Sequence, residues 1–309
     1  MQTFVCEFFK NFFITVLVGD NMYKILTFKT LVLTSVILCF TMIFSAIANT
    51  FLPVISVFNK KEKEVLILMY HQVSDSSGLW GDYVIPPSLL KEDFEYLKNN
   101  NFTPIKIKDI LDFTKGTKDL PEKSVVITFD DGQRSFLTKV VPLLEEYNYP
   151  AVVNIVGALT DLYTENGETN DKYAYLNWND IKVLAENPLV EIGHHSYNFH
   201  SLGYRRGMGK IYGESNAVYA EIIKTDIEKL NDKLLSNIGE RPYILAYPYG
   251  IRNDTLLEIV KGENFSVTLG CRESINKISK GDDLFELGRF NRPYGKSSST
   301  FFEGIIKTK

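Results

Sequence analysis

The stretch Val125-Val126-Ile127-Thr128-Phe129-Asp130-Asp131-Gly132 sets a β-rich apolar run directly against two adjacent carboxylates and a glycine. A short apolar run of β-branched and aromatic residues reads as a buried strand, and an Asp-Gly pair that stops it reads as a turn. A second run, 190–193, stops in the same way at His194-His195-Ser196-Tyr197-Asn198-Phe199-His200. One carboxylate and two imidazoles hold a divalent cation and leave positions open for water and substrate. The second carboxylate is then free to act as a base, which is the minimum equipment for metal-assisted hydrolysis.

Outward from these two segments the same alternation continues. Strand-like runs lie at 65–69, 125–129, 151–156, 190–193, 243–247, 265–269 and 285–290. Helix-like stretches lie between them at 88–99, 135–147, 178–186, 218–235 and 254–261, the fourth with Ile222, Ile223, Ile227, Leu230 and Leu234 at helical spacing. Strands that alternate with helices predict an α/β fold with a parallel sheet, here a closed or nearly closed, distorted (β/α)7-type barrel. The polar residues respect the strand ends: Tyr70-His71, Asp130-Asp131, His194-His195, Pro248-Tyr249-Gly250 and Arg292 each follow a run. In a parallel barrel all strand C-termini share one face, so residues far apart in the chain are expected to meet there.

Composition excludes other readings. The chain has 309 residues with a net charge of −4, so no global basic field points to nucleic acid. The cluster Lys60-Lys61-Glu62-Lys63 is mixed in sign and reads as a solvated face. The three cysteines, Cys6, Cys39 and Cys271, form no disulfide framework in the part after residue 60 and spell out no cysteine-based zinc site.

The N-terminal part is different in kind. From Thr30 to Phe58 there is no charged residue, which exceeds the roughly 20 residues that a membrane-spanning helix needs. Lysines flank both ends, so they do not set the orientation. Two readings stay open. One is a signal anchor over 30–58, behind a leader at 1–29. The other is a cleaved signal peptide, for which Ala46-Ile47-Ala48 fits the small-x-small cleavage pattern and Met22 is an alternative start. Either one exports the domain that follows, 62–309, and places it outside the cytoplasm, anchored at the membrane or secreted.

At this point the residues resemble the polysaccharide deacetylases of carbohydrate esterase family 4, the NodB homology domain. Thr128-Phe129-Asp130-Asp131-Gly132 is similar to that family's first motif. Glu191-Ile192-Gly193-His194-His195-Ser196, with His200 following, looks like the second, and Tyr247-Pro248-Tyr249-Gly250 the third. The five-residue step from His195 to His200 and the early Met69-Tyr70-His71-Gln72-Val73 look more like the branch of biofilm poly-N-acetylglucosamine deacetylases, whose motif order is permuted. The resemblance spans about residues 62 to 295. One departure stands out: where many members carry an Arg two residues before the Pro of the third motif, this chain has Ala246, and Arg292 or Arg289 is left to substitute.

The resemblance implies a role for each position. Asp131, His195 and His200 would hold the metal, His194 being the competitor of His195. Zinc is the expected ion, with nickel or cobalt as substitutes, since mixed nitrogen and oxygen ligation selects weakly. Asp130 would be the general base and His71 the general acid. Tyr249 would offer its backbone N–H to the oxyanion, and Pro248 would fix the turn. As lone aromatics Trp178, Tyr70 and Tyr197 read more readily as core than as sugar-stacking surfaces. The implied activity is metal-dependent removal of acetate from an N-acetylglucosamine polysaccharide. A poly-N-acetylglucosamine exopolysaccharide is favoured over peptidoglycan or a chitin oligomer, with a non-catalytic carbohydrate-binding protein as the rival.

Overall fold

The computed structural model describes residues 33–45 and 62–307. The chain divides into two compact units, Met1–Lys60 and Lys61–Lys309. In the first, residues 33–45 form a helix whose leucine, isoleucine and phenylalanine side chains are exposed. Among the described residues no helix is long and apolar enough to cross a membrane. Most of the 30–58 stretch, and all of the 1–29 leader, lie outside the described residues.

The second unit is built on one sheet. β1 (Lys63–Tyr70), β5 (Ser124–Phe129), β6 (Ala151–Ile155), β7 (Val190–His194), β8 (Ile244–Ala246), β9 (Val267–Leu269) and β11 (Leu284–Leu287) pair in that order, each parallel to the next. β4 (Thr103–Pro104) adds to β5, and β10 (Asn276–Ile278) pairs antiparallel with β1. β12 (Phe290–Asn291) then returns to β1 in parallel. The segment 284–291 thus touches β9 at one end and β1 at the other, and it nearly closes the sheet into a barrel. A small parallel pair, β2 (Gln72–Val73) and β3 (Val84–Ile85), follows β1.

Strand parity sorts the side chains, because successive residues point to opposite faces. On β5, Val125, Ile127 and Phe129 join the layer under the helices, while Val126 joins the barrel interior with Val65, Ile67 and Val152. The expected helices are present with modest shifts: α1 (Pro87–Asn99), α5 (Trp178–Glu186), α6 (Asn216–Ile238) and α7 (Asp254–Gly262). Three more were not foreseen: α2 (Ile107–Thr114), α4 (Gly157–Asn166) and α8 (Ser298–Lys307). The first has an apolar stripe, Ile107, Ile110 and Phe113, but is only eight residues long, and the buried face of the second is only Gly157 and Thr160. The 135–147 stretch is not one regular helix. A π-type turn at Phe136–Val140 precedes α3 (Val141–Tyr147). Pro142 explains the break, since its ring lacks an N–H and clashes with the preceding turn.

Candidate active site

The two carboxylates of the Asp-Asp-Gly turn part company at once. The Asp130 N–H still bonds across to β1, donating to the Tyr70 carbonyl at 2.9 Å, while Asp131 takes a left-handed conformation, φ 73°. That conformation is uncommon outside glycine, though Asp tolerates it better than most residues. The reversal sends the neighbouring side chains different ways. Asp130 enters the barrel interior, 3% exposed, and Asp131 turns toward the histidine loop.

Asp130 is gripped by three hydrogen bonds from two side chains. Arg289 donates Nη1 to Oδ1 at 2.8 Å and Nη2 to Oδ2 at 2.7 Å, a bidentate pair. Asn154 Nδ2 donates to Oδ1 at 2.7 Å. Arg289 is itself fixed by the Gly270 carbonyl at 2.9 Å and the Thr128 hydroxyl at 3.1 Å. Burial pushes Asp130 up, but the Arg289 guanidinium, His195 and His71 together hold its carboxyl well below the usual carboxylate range. The question raised by Ala246 is thereby resolved. Arg289 arrives on the segment that closes the barrel, between β11 and β12, whereas Arg292 is engaged elsewhere, its guanidinium on Asp93 at 2.8–3.1 Å. Asn154 went unnoticed in the sequence. Its one signal is parity, since it lies on the same face of β6 as Val152. Gly193 on β7 makes room for it: a Cβ there would lie 2.0 Å from Asn154 Oδ1.

Asp131, His195 and His200 bring one ligand atom each to within 4.8 Å of one another. His200 Nε2 lies 2.9 Å and His195 Nε2 3.4 Å from Asp131 Oδ1. His195 Nδ1 is bonded to the Ala246 carbonyl at 2.8 Å, which fixes the ring and leaves Nε2 facing Asp131. A metal-binding histidine characteristically uses its far nitrogen in this way. The donor set, one carboxylate oxygen and two imidazole nitrogens, fits a zinc-type divalent cation. Parity also separates the two adjacent histidines. His194 points away from the barrel interior, edge-on to Phe265, with Nε2 3.3 Å from the Ile227 carbonyl and Nδ1 accepting from Ser196 N–H at 3.0 Å. It is a core residue, and burial pushes its pKa down to about 3.

The loop between His195 and His200 is pinned from α6. Both Asp226 carboxylate oxygens accept, one from Tyr197 N–H and one from Asn198 N–H, each at 2.8 Å. Tyr249 follows β8 in a Pro248–Gly250 turn, φ 58°, and its ring stacks on His200 at 4.8 Å and 22°. Gly250, φ 65°, lies so close to Cys271 that a Cβ would fall 2.7 Å from the cysteine Cβ. His71 follows β1, edge-on to Tyr83 at 4.8 Å, and its Nδ1 is buried without a hydrogen-bond partner. Burial pushes the His71 pKa down, while Asp130 and Asp131 pull it back up. Tyr70 and Trp178 are buried, the first bonded to Asp93 at 3.0 Å and the second to Asp161 at 2.8 Å. Tyr197, half-buried, also bonds Asp161, so none of the three offers a free sugar-stacking face.

Comparison with known proteins agrees with this architecture. Residues 117–267 match the family model for polysaccharide deacetylase. A poly-beta-1,6-N-acetyl-D-glucosamine N-deacetylase of Escherichia coli K12 is 28% identical over 258 residues, 77% of this chain and 38% of that protein. The present chain therefore spans well under half the length of that relative. An enzyme of the same name from Staphylococcus aureus N315 is 26% identical over 248 residues, 73% of this chain and 82% of the other. Among solved structures, a de-N-acetylase from Aggregatibacter actinomycetemcomitans superposes with a TM-score of 0.68 at 25% identity, covering 79% of this chain and all of that one. The fold, the carboxylate pair and the two-histidine loop all agree with the match of residues 117–267 to the polysaccharide deacetylase family.

Proposed function

We propose that this chain is a metal-dependent hydrolase that removes acetate from an N-acetylglucosamine polysaccharide, with a poly-β-1,6-linked polymer the favoured substrate. The observation that carries the reading is the meeting of Asp131, His195 and His200 beside a second carboxylate held separately by Arg289. A binding protein needs no such division between two adjacent carboxylates. The names of the E. coli and S. aureus relatives favour the β-1,6 polymer over peptidoglycan or chitin.

Asp131, His195 and His200 would hold the cation, zinc in the first instance, and a cation there supplies a Lewis acid for the acetamide carbonyl and an acidified water. Asp130 takes the proton of the attacking water. The Arg289 guanidinium favours its ionised form, and the Arg289 and Asn154 bonds hold it at one angle. The carbon–nitrogen bond breaks as His71 hands a proton to the departing amine, leaving acetate and a glucosamine unit. The backbone N–H of Tyr249, displayed by the Pro248 turn, is the donor for the developing oxyanion. The 62–309 segment works as the catalytic domain on a distorted (β/α)7-type barrel. The 30–58 segment works as an anchor or export signal that puts it outside the cytoplasm, at the surface where a biofilm polymer is assembled.

Acetate release by the purified full chain from a β-1,6-linked N-acetylglucosamine oligomer, with chelator and with zinc restored, tests the reading. Zinc-dependent release is the expected result. Bound zinc with release only from peptidoglycan or chitin oligomers would reassign the polymer, and neither bound zinc nor release would favour the non-catalytic alternative.

A further inference from the structure

The loop that leaves His200 is held rigidly, yet it presents two tyrosines to water. Arg205 fastens it: the guanidinium pairs with Glu214, donates to the Gly209 carbonyl at 2.7 Å and sits 5.5 Å and 5.6 Å from the ring centres of Phe199 and Tyr219. Tyr219 Oη donates to the Met208 carbonyl at 2.7 Å, and Gly207 N–H to the Ser201 carbonyl at 2.8 Å. Against this frame Tyr204 is 87% exposed and Tyr212 fully so. Neither ring has an aromatic or hydrogen-bond contact among the described residues. A flexible loop shows tyrosines incidentally, whereas a loop with this many fixed points displays them in one arrangement.

The two rings line a depression of about 710 Å³ with Arg206, Lys210, Ile211 and Ile251, a size typical of ligand sites. The depression borders the turn that carries Tyr249. Ile251 follows the Pro248–Gly250 turn whose Tyr249 stacks on His200, and the loop is wedged onto that turn so tightly that a Cβ on Gly207 would lie 2.8 Å from the Pro248 carbonyl. We propose that this depression binds sugar rings of the polymer that flank the unit being hydrolysed, with Tyr204 and Tyr212 as stacking faces. The proposal rests on the deacetylase reading above. Charge selects the occupant. Arg206 and Lys210 have no carboxylate within ion-pair distance among the described residues, so the depression is cationic and disfavours glucosamine units, which carry an ammonium group. It therefore takes the neutral, still acetylated part of the chain.

Calorimetric binding of a β-1,6-linked N-acetylglucosamine hexamer to the zinc-loaded full chain tests this, in an Asp130→Asn background so that no turnover intervenes. Adding Tyr204→Ala and Tyr212→Ala is expected to weaken hexamer binding roughly tenfold, from two lost aromatic contacts, with dimer binding, zinc affinity and thermal midpoint unchanged. The Tyr204→Phe, Tyr212→Phe pair is expected to restore it. Hexamer affinity that ignores the alanines, or a glucosamine hexamer that binds as tightly as the acetylated one, would overturn the proposal. Acetate release by the wild-type chain reports separately on the deacetylase reading.

Discussion

Asp130 and Asp131 are neighbours with opposite surroundings, and the difference predicts separable losses. Asp131→Ala or His195→Ala is expected to abolish zinc binding and turnover together. Asp130→Asn should keep zinc and lose turnover by about 10²–10⁴-fold, the usual worth of a positioned base; zinc content and acetate release measured on the same preparations check both. Arg289 and Asp130 are a fully buried ion pair, and removing one partner of such a pair strands the other. Arg289→Met is expected to lower the unfolding free energy by about 3–5 kcal/mol in denaturant titration. The sign with pH follows from the depressed Asp130 pKa: its contribution is full above pH about 4 and fades only as pH falls through the lower folded value. His71 responds to the same carboxylate. Asp130 pulls its pKa up, so in Asp130→Asn the His71 resonances should titrate at lower pH by NMR than in the wild type. An unmoved or raised midpoint would show that the two groups do not face each other.

At the scale of elements, the site depends on strand parity and on α6. The choice between His194, the last residue of β7, and His195, the residue just past it, rests on the opposite directions in which their side chains leave the strand end. A sequence reader sees two adjacent histidines; the strand sends one to Ile227 and Phe265 and the other to Asp131. The histidine loop is held by a carboxylate on α6, 28 and 29 residues beyond the two amides it accepts from, a long-range contact that no local motif announces. Asp226→Asn removes one of its two acceptors. Zinc affinity is expected to fall roughly tenfold, as for other losses of ligand-orienting groups, with the ligands themselves intact; calorimetric zinc titration reads it. Unchanged affinity would mean that the loop holds its shape without α6.

At the scale of the whole molecule, the proposed ligand atoms come from the turn after β5 and from the segment after β7, and the proposed base is gripped from β6 and from the barrel closure, so cation binding would report on the assembled barrel. Zinc at about 100 times its dissociation constant is expected to stabilise the chain by about 2.7 kcal/mol. Chelation should lower the thermal midpoint of the wild type and leave Asp131→Ala unmoved. Much of this was legible in the residues: the alternation of strands and helices, the turn chemistry of Asp130-Asp131-Gly132, and the gathering of polar residues just past strand ends are local patterns, because backbone periodicity and turn preference act over a few residues. The non-local facts were not. Ala246 marked a missing arginine but not its replacement, since Arg289 reaches Asp130 only because 284–291 returns from β9 to β1 and closes the sheet. Asn154 looked like any strand residue until Gly193 vacated the space beside it. Local sequence determined which groups stand at the ends of the strands; the closure of the barrel alone decided which of them touch, because contact across a sheet depends on register and curvature accumulated over the entire chain.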